Sequence, residues 1–310
     1  MTENADGAVD ESHPNDDERR TRRGFDRRDL LKGVASGIAA TALFSTPVRL
    51  PESPPVDPDV RIPFAGEGYA NRFTSAELTD HNRIVDGPDG ASESLSVAVP
   101  EGDHYGTRMR YRFAEAGESE PERLHSRYML YVPSESDVGH DDSGKLPGPA
   151  GTYGRAGWGG RPSDGTDGWS ARMNFRDPDG DDGHVMLASY VYHAEMDGEY
   201  GTHFEWDVGG HGLLDADRWY RIDNYVELNT PGEDDGVVKG WVDGDLALDV
   251  TDVRFRDVDR LKVQGFWFSV YYGGDYSAPD DVEMYFDDLR LWKSRLHSVD
   301  EPAQQSESDD

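Results

Sequence analysis

The sequence predicts an all-β fold, a β-jelly roll or concanavalin-like two-sheet sandwich, and three observations carry that reading. Short runs with alternating or aromatic-rich pattern recur at 107–113, 127–132, 169–176, 185–193, 220–229, 237–242, 246–250, 262–272 and 283–292. Clusters of Gly, Asp and Pro separate them, which is turn chemistry at the spacing of a sandwich. No stretch keeps helical periodicity over three turns. Within this series Trp241-Val242-Asp243-Gly244-Asp245-Leu246 reads as a hairpin, with Asp-Gly at the two positions of its turn that need positive φ.

The chain divides into four parts. Asp26-Arg27-Arg28-Asp29-Leu30-Leu31-Lys32 precedes an uncharged run of small and apolar residues, 33–45, too short to span a bilayer. This resembles a twin-arginine signal, so 1–45 is expected to be an export region and the protein to be secreted. Residues 46–60 hold five prolines and read as an extended spacer. The β domain is expected over 61–293, and 294–310 reads as an acidic, disordered tail.

Composition describes the surface. The 310 residues carry 31 Lys+Arg against 63 Asp+Glu, a formal charge of -32, and only five of the 31 bases are lysine. The export region holds nine acids and seven bases, so its removal takes away 7 − 9 = −2 and leaves about −30 on the remainder. An acid-rich, lysine-poor surface suits multimolar salt, where the Debye length falls to about 3 Å and carboxylate repulsion is screened. Hydrophobic residues make up 35% of the chain, enough for a core, so the acidity does not signal disorder. There is no cysteine, which excludes disulfides, thiolate metal sites, thiol nucleophiles and a lipid-modified cysteine anchor.

Chemistry-bearing residues gather in the middle of the chain. The connection 133–168 contains ten glycines and reads as a long functional loop, because it also carries Lys145, Tyr153, Arg155, Trp158 and Arg161. The run 169–176 alternates, placing Trp169, Ala171, Met173 and Phe175 on the core face and Ser170, Arg172, Asn174 and Arg176 on the other. Mid-strand Arg172 is placed to grip an anion bidentately. Tyr190 and Tyr192 share one face with Val191 opposite, an arrangement that core packing alone also explains. The aromatic run ending in Tyr271-Tyr272-Gly273-Gly274 resembles the wall of a sugar cleft.

Taken in order, Gly144-Lys145-Leu146-Pro147-Gly148, Gly168-Trp169-Ser170-Ala171-Arg172, Tyr190-Val191-Tyr192, Tyr271-Tyr272-Gly273-Gly274 and Phe286-Asp287-Asp288 resemble polysaccharide lyase family 14, the alginate-lyase group, with glucuronan lyases as relatives. The likeness spans approximately residues 90–293. It implies a jelly roll that cuts a uronic-acid polymer by β-elimination without an organic cofactor. It also implies Lys145, Arg172, Tyr190 and Tyr192 as catalytic residues, with His104 through a looser match to the glucuronan lyases. Ser170, Trp158, Arg155, Tyr271 and Tyr272 become the expected substrate contacts. The expected partner is an acidic polysaccharide, with no nucleic acid, no membrane beyond the export signal, and a monomeric enzyme. The rival readings are a non-catalytic carbohydrate-binding jelly roll and a concanavalin-like hydrolase, for which no Glu-x-Asp-x-x-Glu strand is present.

Elimination explains the residue types. The C5 proton of a uronate is poorly acidic until the neighbouring carboxylate is neutralised, so the reaction needs a cation there, a base at C5 and an acid at O4. Lys145 or Arg172 can neutralise, and a tyrosine or His104 can move protons. No cofactor is required and no catalytic metal is expected, while Asp287 and Asp288 leave room for a structural calcium ion. The acidic run 177–183 fails as an EF-hand, since Asp182 stands at loop position six and Ala188 at position twelve.

Overall fold

The computed structural model describes residues 49–66, 68–90, 92–139, 143–178, 183–208, 213–274 and 276–296. Two antiparallel sheets face each other. In spatial order the first contains β15 (Asp245–Val253), β14 (Gly236–Val242), β13 (Trp219–Glu227), β6 (Arg123–Tyr131), β17 (Val282–Trp292), β4 (Glu93–Val99) and β3 (Asn82–Asp86), with β1 (Val60–Ile62) paired to β17. The second contains β11 (Thr202–Glu205), β10 (His184–Tyr192), β9 (Trp169–Arg176), β7 (Gly144–Leu146), β16 (Gly265–Tyr272), β5 (Tyr105–Arg112) and β2 (Ser75–Leu78). Here β12 (Leu213–Asp215) joins β10, and β8 (Gly148–Gly151) lies between β16 and β9. The jelly-roll sandwich expected from the sequence is the fold observed.

Alternation builds the core between the sheets. From β9 come Trp169, Ala171, Met173 and Phe175, all fully buried, and from the facing sheet Tyr128, Leu130, Met284 and Phe286. Phe268 meets Phe286 edge-on with ring centres 5.0 Å apart, and Trp169 meets Phe255 at 5.1 Å. The hairpin between β14 and β15 turns at Asp243 (φ 52) and Gly244 (φ 92), the positive pair that Asp-Gly supplies.

The connection 133–168, expected as a loop, contributes two strands to the middle of the second sheet. Neither Gly-Lys-Leu nor Gly-Pro-Ala-Gly has strand propensity. They pair because β9 and β16 offer an edge on each side. Glycine is required where they insert: a Cβ on Gly144 would collide with the Phe175 ring, and one on Gly148 would stand 2.6 Å from the Arg172 Cα.

Residues 49–59, within the expected spacer, lie against the outer face of the first sheet. Leu50 is buried and its N–H donates to the Gly244 carbonyl (2.8 Å), while Trp292 Nε1 donates to the Val56 carbonyl (3.0 Å). Beneath them a buried network joins Asp223 to His125 (2.7 Å) and Arg127 (2.8 Å). At the bulge in β17, Asp288 is ion-paired to Arg61 (2.8 Å) and to Arg290, so it is already held by cations of the chain. Among the described residues no group of three or more His, Asp or Glu side chains is arranged to hold an ion. The export region, the tail beyond Leu296 and the acidic positions 179–182 lie outside the described residues.

Candidate active site

The outward face of the second sheet brings the chemical residues together by register. Tyr190 on β10 pairs with Arg172 on β9, and Tyr192 pairs with Ser170. Lys145 on β7 lies between Asn174 of β9 and Tyr271 of β16, and Tyr271 in turn faces Tyr105 of β5. Each strand sends its alternate residues into the core, so these polar ones share the open face.

Lys145, Arg172, Tyr190 and Tyr192 meet in one cleft. The Lys145 ammonium lies 3.9 Å from the centre of the Tyr190 ring. The two phenol oxygens are 3.3 Å apart; Gly201 N–H donates to that of Tyr190 (3.1 Å) and Gly160 N–H to that of Tyr192 (3.4 Å). Arg172 is only 3% exposed, donates to the Tyr271 hydroxyl, and lies 5.4 Å from both the Trp267 and the Tyr271 ring centres. Burial, then the Arg172 charge, lowers the Lys145 pKa to about 7. Burial and the hydrogen bond with Tyr192 push the Tyr190 phenol up, so it keeps its proton.

Charge pairing separates this cleft from the rest of the molecule. Among the described residues, several covered cations elsewhere have carboxylate partners: Arg127 has Asp223 (2.8 Å), Arg256 has Glu122 (3.3 Å) and Lys239 has Asp249 (2.9 Å). Among the described residues, half-buried Lys145 and buried Arg172 have no carboxylate at ion-pair distance. Beside them a cavity of ≈ 290 Å³ is lined by Ser143, Asn174, Arg176, His203 and Glu205 among others. A larger groove of ≈ 800 Å³ lies on the opposite sheet, but its arginines 49, 127, 221 and 290 are all ion-paired, so the chemistry is marked by Lys145 and Arg172 themselves and not by the size of a cavity.

The other expected residues occupy different positions. Ser170 is fully buried and donates to the Gly157 carbonyl (2.6 Å), which fastens the glycine-rich loop over β9 instead of facing a ligand. Trp158 is half-buried in that loop with Arg161 4.5 Å from its ring centre. Arg155 is exposed and forms no ion pair among the described residues. Tyr271 faces the cleft. Tyr272 does not: alternation along β16 turns it into the core, where it packs on Phe175 and donates to the Val138 carbonyl (2.9 Å), which corrects its expected role as a contact. His104 sits at the margin, exposed, its ring centre 6.5 Å from that of Tyr105, which stacks on Tyr271 at 5.4 Å.

Two residues at the cleft escaped the sequence reading. His203 lies with its ring centre 4.6 Å from that of Tyr190, and Asn174 Nδ2 donates to its Nδ1 (3.3 Å). Burial, then the Lys145 and Arg176 charges, holds its pKa at about 4, so it is neutral near pH 7. Trp267 forms the floor beside Arg172. The alternating 262–272 run places Trp267 on the face of Tyr271; for His203 the only local signal is Thr-His-Phe-Glu following a glycine.

A jelly roll with a cationic, phenol-lined cleft on its open sheet belongs with the carbohydrate-active sandwiches. More narrowly, the chain belongs to the polysaccharide lyase 14 family, whose model matches residues 90–289, and it is a polysaccharide lyase. Among solved structures it is similar to alginate lyase Aly36B (TM-score 0.64, 22% identity, 78% of this chain and 100% of that one). It is also similar to the PL-14 alginate lyase of Aplysia kurodai (0.60, 20%, 76% and 99%) and to alginate lyase vAL-1 from Chlorella virus (0.56, 17%, 69% and 89%). A variant of Aly36B with a lysine and a tyrosine replaced by alanine has been solved in complex with an alginate tetrasaccharide. At these identities the structural likeness shows the fold. No curated protein matches the chain in sequence.

Proposed function

We propose that this lyase cleaves an alginate-like uronate polymer by β-elimination, outside the cell after twin-arginine export, in high salt. The observation that carries the proposal is that Lys145 and Arg172, covered by their surroundings, have no carboxylate partner among the described residues of a chain with 63 acids. A covered cation is stable when an anion completes it, and for Arg172 the substrate carboxylate supplies that anion, while Lys145, with no carboxylate to hold its proton, is left free to act as an amine. The alginate complex of Aly36B supports the same class of ligand.

Each group then has a task. Arg172 neutralises the uronate carboxylate and makes the C5 proton acidic. The neutral Lys145 amine takes that proton, and its pKa of about 7 makes the amine available near neutrality. The electron pair forms the C4–C5 double bond as the bond from C4 to the glycosidic oxygen breaks, and a Tyr190 or Tyr192 hydroxyl gives its proton to that oxygen. Balance requires no water and no redox partner. His104, at the margin, is proposed to act on bound sugars rather than on the scissile bond.

The test is to incubate the chain without residues 1–45, in multimolar salt, with alginate, glucuronan and pectate, following the ultraviolet absorbance of the unsaturated end. Growth of that chromophore with new reducing ends on at least one polymer is expected. Reducing ends without the chromophore indicate hydrolysis, and the absence of both on all three refutes the substrate class.

A further inference from the structure

The open face of β5 carries Arg108, Arg110 and Arg112, and the three differ in their partners. Arg108 is paired with Glu77 (2.9 Å) and Arg112 with Glu115 (2.6 Å). Arg110, between them and half-buried, has no carboxylate at ion-pair distance among the described residues, and its Nε–H is enclosed without an acceptor. Burial, then the flanking charges of Arg112 and Arg108, hold its pKa below the ordinary arginine value, with Glu77 pulling the other way from beyond ion-pair distance. Its guanidinium lies 5.1 Å from the Trp267 ring centre, and Arg172 lies 5.4 Å from the same ring.

These residues form a line across the strands. Arg110 pairs in register with Trp267, Trp267 with Gly148, and the Gly148 backbone lies against that of Arg172, which pairs with Tyr190. From β5 through β16 and β8 to β9 are three strand steps, about 14 Å at the usual spacing of about 4.8 Å. The backbones are that far apart, but both guanidinium groups lean over the shared indole, 5.1 Å and 5.4 Å from its ring centre, and so stand no more than about 10.5 Å apart, which leaves room for a short oligosaccharide segment between them.

We propose that Arg110 binds the carboxylate of a uronate unit remote from the scissile bond, with Trp267 as the platform for the ring between, so that the cleft prefers longer chains. This rests on the uronate reading given above. A planar guanidinium on a carboxylate gives two parallel hydrogen bonds, which survive high salt better than a diffuse charge does.

Arg110→Gln tests it against the parent chain, with Arg110→Lys as the conservative variant and a thermal melt to establish that each folds. On long polymer Arg110→Gln is expected to raise KM about ten- to hundredfold, the loss of a hydrogen bond to a charged group, with kcat nearly unchanged and partial recovery in Arg110→Lys. On the shortest oligomer the parent cleaves, KM is expected to stay the same. An unchanged KM on long polymer overturns the proposal, and so does an equal fall in kcat on both lengths, which marks a structural role. Should the parent cleave no uronate polymer, the reading of the reaction fails and calorimetric titration with an uncut hexuronate oligomer decides the subsite. Weaker binding by Arg110→Gln, and no difference on the same oligomer with its carboxyls reduced, supports it; equal affinity overturns it.

Discussion

On the proposed mechanism, Lys145 determines which way activity moves with pH. At pH 7 an ordinary lysine presents about one neutral amine in a few thousand molecules. With its pKa brought to about 7 by burial and by Arg172, Lys145 presents about one in two. As the base it must be neutral, so kcat/KM rises as pH climbs through about 7 and levels off above it. As the cation that neutralises the substrate it would have to be charged, and kcat/KM would fall over the same range. Lys145→Arg separates these roles, since it keeps the positive charge and abolishes the titration. We expect this variant to lose about 10²–10⁴-fold in kcat, the scale of general-base catalysis, and to lose the rising limb. Lys145→Gln, which removes charge and base together, should be no more active. The assay is the initial rate of chromophore formation across neutral pH in multimolar salt. A parent profile that falls through neutrality, or a Lys145→Arg enzyme within tenfold of the parent, refutes the assignment.

Further outcomes follow from other contacts. Tyr190→Phe should keep the fold and lower kcat by about 10²–10⁴-fold if that phenol is the acid at O4, with Tyr192→Phe taking the loss instead if it is the donor; full activity in both refutes phenol catalysis. Gly144→Ala, whose Cβ meets the Phe175 ring, should cost about 1–3 kcal/mol by overpacking in denaturant titration and lower activity through Lys145 beside it; an unchanged midpoint shows that β7 yields freely. Asp223→Asn leaves buried Arg127 without its carboxylate and should cost about 3–5 kcal/mol while leaving kcat intact, because it lies on the other sheet; an equal loss of kcat contradicts this separation. Raising salt from dilute to multimolar should raise the unfolding midpoint, since 63 acids against 31 bases repel one another when unscreened; a flat response argues against salt adaptation.

Sequence and structure agree best where a strand is long and its alternation complete. β9 spells both of its faces, so the core set Trp169, Ala171, Met173 and Phe175 and the polar set with Arg172 are legible without any partner strand. β7 and β8 are illegible for the opposite reason. Three or four residues rich in glycine and proline carry no period, and only the two edges that β9 and β16 provide make them strands. The motif therefore points to Lys145, whereas its place at the centre of the sheet depends on the neighbouring strands. Tyr272 differs for another reason: a double tyrosine suggests one surface, but adjacent strand residues face opposite ways. His203 depends on the register of β10 with β11 across an intervening loop, a non-local fact. Arg110 lies between. Its outward direction can be read from Arg-Met-Arg-Tyr-Arg, but that it alone of the three has no acid at ion-pair distance among the described residues depends on where Glu77 and Glu115 fold.

The net charge is the apparent obstacle to a polyanionic substrate, and the pairing pattern resolves it. With two acids for every base, a cation at a covered position readily acquires a carboxylate, as Arg127, Arg256 and Lys239 do. Lys145, Arg172 and Arg110 do not, and all three project from one face of one sheet. In multimolar salt the remaining carboxylates are screened beyond about 3 Å, so an approaching uronate meets only the groups it touches. At that range the cleft is locally cationic on a protein whose formal net charge is -32. On the proposed high-salt reading, screening serves two ends: it would let so acidic a chain stay folded, and it would confine recognition of the polymer to the few basic groups that have no carboxylate at ion-pair distance among the described residues.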